Sequence, residues 1–355
     1  MAAIAHGRGS GLLILRVPGV GWSARVHARS VAVTVALFGA TFAVFAWSLS
    51  VGDFPIAITD VLATLAGGGS DDSAFIVRTL RLPRGFSAVL VGAGFGLSGA
   101  IFQRLARNPL ASPDIIGVNA GAAASAVFMI VVVGATGLQT TVGALGGSTV
   151  ASLAIYLLAY KRGVTGYRLV LVGIGVTAVL TSVTQYLLTR AEIYEAQRAV
   201  VWLTGSLNGR GWEHVRPIAV ALGALVPIAV GLGRHLRVLE LGDDTARGLG
   251  TAVEPARGAL LLIGVALAAV ATASAGPIGF VALVAPQIAR RLVADRSLAL
   301  LPSAACGALI VVTADLVGRR AFAPTELPVG VVTALVGAPY LLYRLARANK
   351  IGSGG

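Results

Sequence analysis

Long stretches without a charged residue alternate along this chain with short clusters rich in arginine. Eight uncharged runs stand out: Ser30 to Gly52, Gly85 to Gln103, Ile115 to Tyr160, Leu169 to Thr189, Pro217 to Gly233, Gly258 to Ala289, Ser297 to Ala314 and Leu327 to Tyr343. A helix crossing the hydrocarbon layer needs about 20 mostly apolar residues, and an ionised side chain at its centre is costly, so each run reads as membrane-crossing. Two runs are too long for one passage. Ile115 to Tyr160 can cross twice, with a break around Gly134 to Thr141. Gly258 to Ala289 is interrupted by Gly276-Pro277, which removes a backbone donor and can break a helix. The pattern predicts an all-α, polytopic membrane protein of about ten transmembrane helices.

Charge placement tests that count, because Lys and Arg gather on the cytoplasmic side. With ten spans and the N-terminus inside, the inner segments are the tail to Arg29, Arg104 and Arg107, Lys161 to Arg168, Arg234 to Arg257, Arg290 to Arg296, and the residues after Tyr343. They hold 19 of the 28 Lys and Arg. If Gly258 to Ala289 crossed only once, the later segments would invert and the division would be 15 inside against 13 outside. Ten spans fit better. The reading is one helical membrane domain over residues 30–346, between cytoplasmic tails at 1–29 and 347–355.

Composition agrees, since 56% of the residues are hydrophobic and 12% charged, about half the charge of a typical soluble domain. The net charge of +13 does not point to nucleic acid, because the basic residues border apolar spans and form no contiguous face. The first run follows a basic tail but is too long for a cleaved signal core, so it reads as a retained span. Cys306 is the single cysteine, which rules out an internal disulfide. Gly94-Phe95-Gly96-Leu97-Ser98-Gly99 matches G-x-G-x-x-G, yet that motif needs a preceding strand, and here it lies inside a span. Gly92, Gly96 and Ala100 recur every four residues, which favours close helix packing.

The acids bear on energy supply. All 15 Asp and Glu fall in loops or near a span end, where a carrier driven by a proton or sodium gradient would hold some deep in its spans. No G-x-x-x-x-G-K-[ST] phosphate loop occurs, and nothing suggests an enzyme, a metal site or a cofactor on this chain. Energy would come from a partner. The inner loop from Leu241 to Gly250 reads as a short helix with Asp243 and Asp244 in its first turn, where the dipole favours them, and glycine at its end. An ordinary solvated connector would look the same.

Several blocks resemble the iron-chelate and vitamin B12 permeases of bacterial ABC importers, the FecCD-type family, from about Arg78 to Tyr343. They are Arg81-Leu82-Pro83-Arg84, Ser98 to Gln103 with Arg107 to Asp114, Trp202 to Leu207, Leu241 to Gly250, Gly276 to Val281 with Ala285 to Arg291, and Glu326-Leu327-Pro328-Val329-Gly330. Gly205 to Gly209 and Leu239 to Ala246 are most similar to the ferric-enterobactin branch.

The resemblance implies the type II importer permease fold and a ferric siderophore as cargo, with vitamin B12 or haem as alternatives. It implies a second permease subunit, a heterodimer before a homodimer, two ATPases that bind ATP and Mg, and an extracytoplasmic substrate-binding protein. Arg81, Arg84 and Arg319 would receive acidic residues of that binding protein. The alternative is local pairing with Asp71, Asp72 or Glu326. Segment 239–250 would couple to the ATPase, with polar contacts from Asp243, Asp244 and Arg247, apolar anchors at Leu241 and Leu249, and Gly242, Thr245, Ala246 and Gly250 completing it. Asn108, Pro109, Pro113, Gly276 and Pro277 would shape turns. The pathway would run along spans 5 and 10. Val164-Thr165-Gly166-Tyr167 departs from the hydroxyl pair of the vitamin B12 importer gate. A secondary transporter or a membrane scaffold are the competing classes.

Overall fold

The computed structural model describes residues 3–6, 12–17, 22–52, 54–114, 117–161, 166–294 and 298–352. Three short strands, β1 (Ala3–His6), β2 (Leu12–Val17) and β3 (Trp22–His27), form an antiparallel meander ahead of the membrane part, in the segment expected to be a tail. The rest is helical: α1 (Ala28–Ser50), α2 (Ile58–Leu65), α3 (Asp71–Ala74) running through a π-helical segment (Phe75–Arg81) into α4 (Leu82–Leu105), α5 (Val118–Val131), α6 (Leu138–Ala159), α7 (Gly166–Arg190), α8 (Ile193–Leu203), α9 (Trp212–Gly231), α10 (Gly233–Glu240), α11 (Asp243–Gly248), α12 (Val253–Ala275), α13 (Val281–Leu292), α14 (Leu300–Arg320) and α15 (Val329–Gly352).

Ten of these helices, α1, α4 to α7, α9 and α12 to α15, fall on the ten expected passages, and seven of them are long and apolar enough to cross a membrane. Both long runs split. The first breaks at residues 132–137, where Gly134 and Gly137 have positive φ, and the second at 276–280, where Gly276 and Phe280 do. The helices α5 and α13, of 14 and 12 residues, are shorter than the bilayer core requires. The unwound backbone beside α13 is covered in part by protein, with Gly276 and Ile278 buried and Pro277, Gly279 and Phe280 half-buried.

The second passage is longer than the uncharged run, since α3, the π segment and α4 form one continuous helix over Asp71–Leu105. Ser70 starts it by accepting the Ser73 N–H, with Asp71 and Asp72 in the first turn. Pro83 has no N–H to continue the ladder, and the widened turn before it, where the Leu82 N–H reaches Val77 O, accommodates the ring.

The α4 helix is the hub, packed against α14, α12, α13 and α9. Its glycines explain why. A Cβ at Gly92 would stand 2.3 Å from Gly307 O, at Gly96 2.1 Å from Ser303 O, and at Gly99 1.8 Å from Ala282 O. The G-x-G-x-x-G stretch is therefore a packing seam, where missing side chains let backbones touch. Two polar side chains in this core are paired across helices: Ser98 Oγ donates to Gly264 O at 2.6 Å and Gln103 Nε2 to Leu283 O at 2.9 Å. By contrast α1 and α7 lie at the periphery, with large exposed side chains such as Phe42 and Ile174.

Candidate functional sites at the two ends of the bundle

At the end of the bundle where α4 finishes, its two arginines reach the α10–α11 segment. Arg104 pairs with Glu240 and donates from Nε to Leu298 O at 3.0 Å. Arg107 donates from Nη2 to Leu239 O at 3.0 Å and to Asp243 Oδ1 at 3.1 Å. The same Asp243 oxygen accepts from Arg257 Nη2, in the first turns of α12, at 2.7 Å, while Arg257 Nη1 holds Glu254 at 3.0 Å. The Arg257 hydrogen bond, with the charges of Arg257, Arg107 and Arg247, holds the Asp243 carboxyl below the usual carboxylate range. Asp243 thus ties α11 to the turn that follows α4 and to α12.

The helical part of the segment is narrower than the expected Leu241 to Gly250. Gly242, at φ 108°, breaks the chain after α10, and Gly250, at φ 76°, ends α11. Ala246 is fully buried beneath it. Leu241 and Leu249 are about three-fifths exposed, and Asp244 projects into solvent with only Arg247, 2.9 Å away, as an ion-pair partner. A cavity of about 570 Å³ lies beside it, lined by Leu105, Arg107, Tyr167, Leu169, Asp243 and Arg257 among others.

The nearby turn residues do what their types suggest. Asn108 Oδ1 accepts from the Leu110 N–H at 2.9 Å, Gln287 Nε2 donates to Pro109 O at 2.9 Å, and Pro113 O accepts from the Val118 N–H at 3.4 Å. Asp114 accepts from Asn119, whose own Oδ1 accepts from Thr272 Oγ1 of α12 at 2.7 Å. Burial pushes the Asp114 carboxyl up to about 6, against a hydrogen bond from Ser112. Val164 and Thr165 lie outside the described residues.

At the opposite end, the three arginines expected to face a partner all turn into the protein. Arg81 is buried, and its guanidinium donates to Leu49 O at 2.6 Å and to Phe54 O, closing the exit of α1. Arg84 grips Asp315 of α14 at 3.0 Å and Glu326 at 3.0 Å. Arg319 lies 3.2 Å from the other Asp315 oxygen. Local pairing with Glu326 therefore occurs, whereas Asp71 and Asp72 make no ion pair among the described residues. Asp315, 5% exposed, is the residue the sequence reading missed: it forms the centre of the cluster. Two cations face two carboxylates here, and Glu326 is the most exposed of the four.

Beside that cluster three unwound backbones cross. Gly276 comes so close to Trp202 O that a Cβ would stand 2.5 Å from it, Gly205 would meet Pro277 O at 2.3 Å, and Gly330 would meet Thr204 O at 2.2 Å. Ser206 N donates to Ala275 O at 2.8 Å and Gly330 N to Gly205 O at 3.0 Å. Gly276 and Pro277 are thus turn residues at a crossing that only glycine permits. A cavity of about 740 Å³ opens next to it, between α8, the 204–210 loop and the start of α15.

Seven helices long and apolar enough to cross a membrane, packed with shorter ones and carrying charged clusters at both ends, define a membrane-spanning helical bundle. The chain belongs to the FecCD transport family, and the match spans residues 40–347. It is 42% identical over 304 residues to the ferric enterobactin transport system permease protein FepG of Escherichia coli strain K12, covering 86% of this chain and 92% of the relative. It is 42% identical over 312 residues to the achromobactin transport system permease protein CbrC of Dickeya dadantii strain 3937, covering 86% and 88%. The solved inward-facing structure of a metal-chelate type ABC transporter superposes with a TM-score of 0.81 at 26% identity, covering 89% of this chain and 99% of that one.

Proposed function

We propose that this chain is the membrane-spanning subunit of an importer that carries a ferric siderophore across the bacterial cytoplasmic membrane, powered by ATP hydrolysis on partner chains. The observation that carries the reading is the Asp243 junction. A small exposed helix, with apolar Leu241 and Leu249 and charged Asp244 available for contact, is fastened by one carboxylate to the turn that follows α4 and to α12. A push on such a helix reaches the bundle as a whole, which suits rocking between two access states. The ferric siderophore follows from the names of the relatives, which transport ferric enterobactin and achromobactin.

In this reading the Asp243 end faces the cytoplasm with both termini, in keeping with 19 of 28 Lys and Arg on that side. The opposite end receives a substrate-binding protein. Its carboxylates would displace Glu326, the more exposed partner of Arg84, and take up Arg84 and Arg319. Arg81, occupied by backbone carbonyls, holds the entrance in shape. Thr181, Ser182, Gln185 and Thr189 are exposed on α7. An amide such as Gln185 is costly in hydrocarbon, so this face addresses a second permease subunit and the pathway between the two, with a different permease chain as the first choice of partner.

The test is uptake of iron-55 on a panel of catecholate and hydroxamate siderophores, and of labelled vitamin B12 and haem, in cells with and without the gene. Loss of ferric chelate uptake is expected. Loss of vitamin B12 or haem uptake alone would move the substrate to another branch of the family, and uptake that survives ATP depletion but collapses with an uncoupler would overturn the ATP-driven reading.

A further inference from the structure

The cavity of about 740 Å³ beside the glycine crossing is within the size range of small-molecule sites. Its wall carries two arginines, Arg198 of α8 and Arg210 of the following loop, together with hydroxyl and amide groups from Thr140, Thr141, Gln197, Ser206 and Asn208 and the ring of Trp202. Arg198 is steered by one backbone bond, Nη2 to Ala135 O at 2.8 Å, and Arg210 by one weak bond, Nε to Ser206 O at 3.4 Å. Among the described residues neither makes an ion pair. The acid on this wall, Glu326, is already neutralised by Arg84 at 3.0 Å, inside a cluster whose two cations and two carboxylates cancel. The cavity wall therefore carries two guanidiniums without an ion pair, Glu213 acting on Arg210 from outside the lining by its charge alone, on the side of the membrane where arginine is disfavoured. Burial lowers the Arg210 pKa and the charge of Glu213 offsets this only in part, so its guanidinium has lost water without gaining an ion pair among the described residues.

We propose that Arg198 and Arg210 form an anion-binding vestibule that selects chelates with net negative charge over neutral ones. The proposal rests on the importer reading and names the substrate class within it. Ferric iron bound by catecholates or by hydroxycarboxylates keeps a net negative charge, whereas ferric iron bound by three hydroxamates is neutral. A guanidinium pair offers planar, forked donors to the oxygens of the former, and Trp202 and the amides accept the less charged parts of the ligand. A neutral hydroxamate complex would leave both cations desolvated and unpaired.

The experiment measures initial uptake rates of iron-55 over a concentration series, in cells expressing the full transporter, for a tris-catecholate chelate, ferric citrate and a trihydroxamate chelate. The variants are Arg198→Gln with Arg210→Gln, and both positions changed to Lys, with membrane levels checked by immunoblot. The expected result is a KM for the anionic chelates raised about tenfold or more by the double Gln variant, with the maximal rate nearly kept and most of the affinity restored by the double Lys variant. Wild-type uptake of the anionic chelates should also show a KM that climbs with ionic strength, a readout that does not depend on any variant folding. Preference of the wild type for the trihydroxamate, a salt-independent KM, or a fall in maximal rate shared by all chelates would each overturn the vestibule. The last would point instead to carboxylates of a docking protein as the arginines' partners. A wild type that imports no ferric chelate fails the importer reading itself and is seen before any variant is compared.

Discussion

Asp243→Asn tests the link between α11 and the bundle. The substitution keeps the shape and removes the charge that Arg257 contacts at 2.7 Å and Arg107 at 3.1 Å. Arg257 is only 12% exposed, so its bond to a carboxylate belongs to the charge-assisted class worth about 1.5–3 kcal/mol. Arg107 is 47% exposed, and its pair is worth about 0.2–1 kcal/mol. Loss of roughly 2 kcal/mol lowers the attached fraction of α11 about 30-fold relative to the detached one. In the transporter reconstituted with its partners in liposomes, chelate moved and ATP hydrolysed are counted together. ATPase activity should stay within about twofold, because Leu241, Asp244 and Leu249 still present the contact surface, while chelate moved per ATP falls by about tenfold. Asp244→Asn should have the reverse signature, since Asp244 is fully exposed and touches only Arg247: ATPase stimulation weakens and the ratio holds. Equal losses of transport and hydrolysis in Asp243→Asn, or no loss of either, would refute the tether.

Gly99→Ala should destabilise the protein by about 1–3 kcal/mol, because its new methyl lies 1.8 Å from a backbone oxygen that cannot swing away, whereas Gly146→Ala, with nothing within 4 Å, should be neutral or slightly stabilising; thermal unfolding in detergent compares them. Arg84→Gln removes one of the two cations on the buried Asp315 carboxylate, Arg319 remaining 3.2 Å away, and should cost about 1.5–3 kcal/mol, part of which returns in the double variant with Asp315→Asn; a double variant less stable than either single one would contradict the pairing. Asp114 binds a proton more tightly folded than unfolded, so its contribution lowers stability as pH rises from the ordinary carboxylate value to about 6 and stays lowered above. Asp114→Asn should therefore raise the melting temperature at pH 7.5 and lose that advantage near pH 4, and a gain of equal size at both pH values would show that the group is not the cause.

How much of this was legible beforehand depends on whether the cause was local. The ten passages follow from uncharged runs, and both breaks fall where glycine and proline announce them. The hydropathy argument stops at the first charge, however, so it ended the second span at Gly85 although the helix runs back to Asp71 through Arg78, Arg81 and Arg84. Each of those arginines has a partner within the protein. Arg78 donates to Thr64 O at 3.0 Å, Arg81 to the end of α1, and Arg84 to carboxylates. Asp315 was hidden for the same reason, because its partner Arg84 is 231 residues away and no spacing rule reaches that far. The α8 helix went unread within an outer loop. The short helix within Leu241 to Gly250 is legible in the sequence, whereas the attachment of Asp243 to Arg107 and Arg257, 136 and 14 residues away, is not.

The two ends of the molecule are joined by one helix, and that bears on how a push could travel. The first turns of α12 hold Glu254 and Arg257, and so Asp243. Its middle accepts Ser98 Oγ of α4 at Gly264 O, and its last turn donates from Thr272 to Asn119 of α5. Its last carbonyls bind Ser206 N beside the glycine crossing. Each contact is a hydrogen bond or a backbone approach without room for sliding, so α4, α12 and α14, with the Gly92, Gly96 and Gly307 seam between α4 and α14, must move as a body. The α7 helix is different. It is bound to α5 and α6 by apolar contact, carries no ion pair to the hub among the described residues, and leaves most of its surface uncovered. Under the proposed coupling, displacement of α11 shifts the α4–α12–α14 body at both ends at once, and the boundary that opens is the one along α7, where the exposed Thr181, Ser182, Gln185 and Thr189 lie.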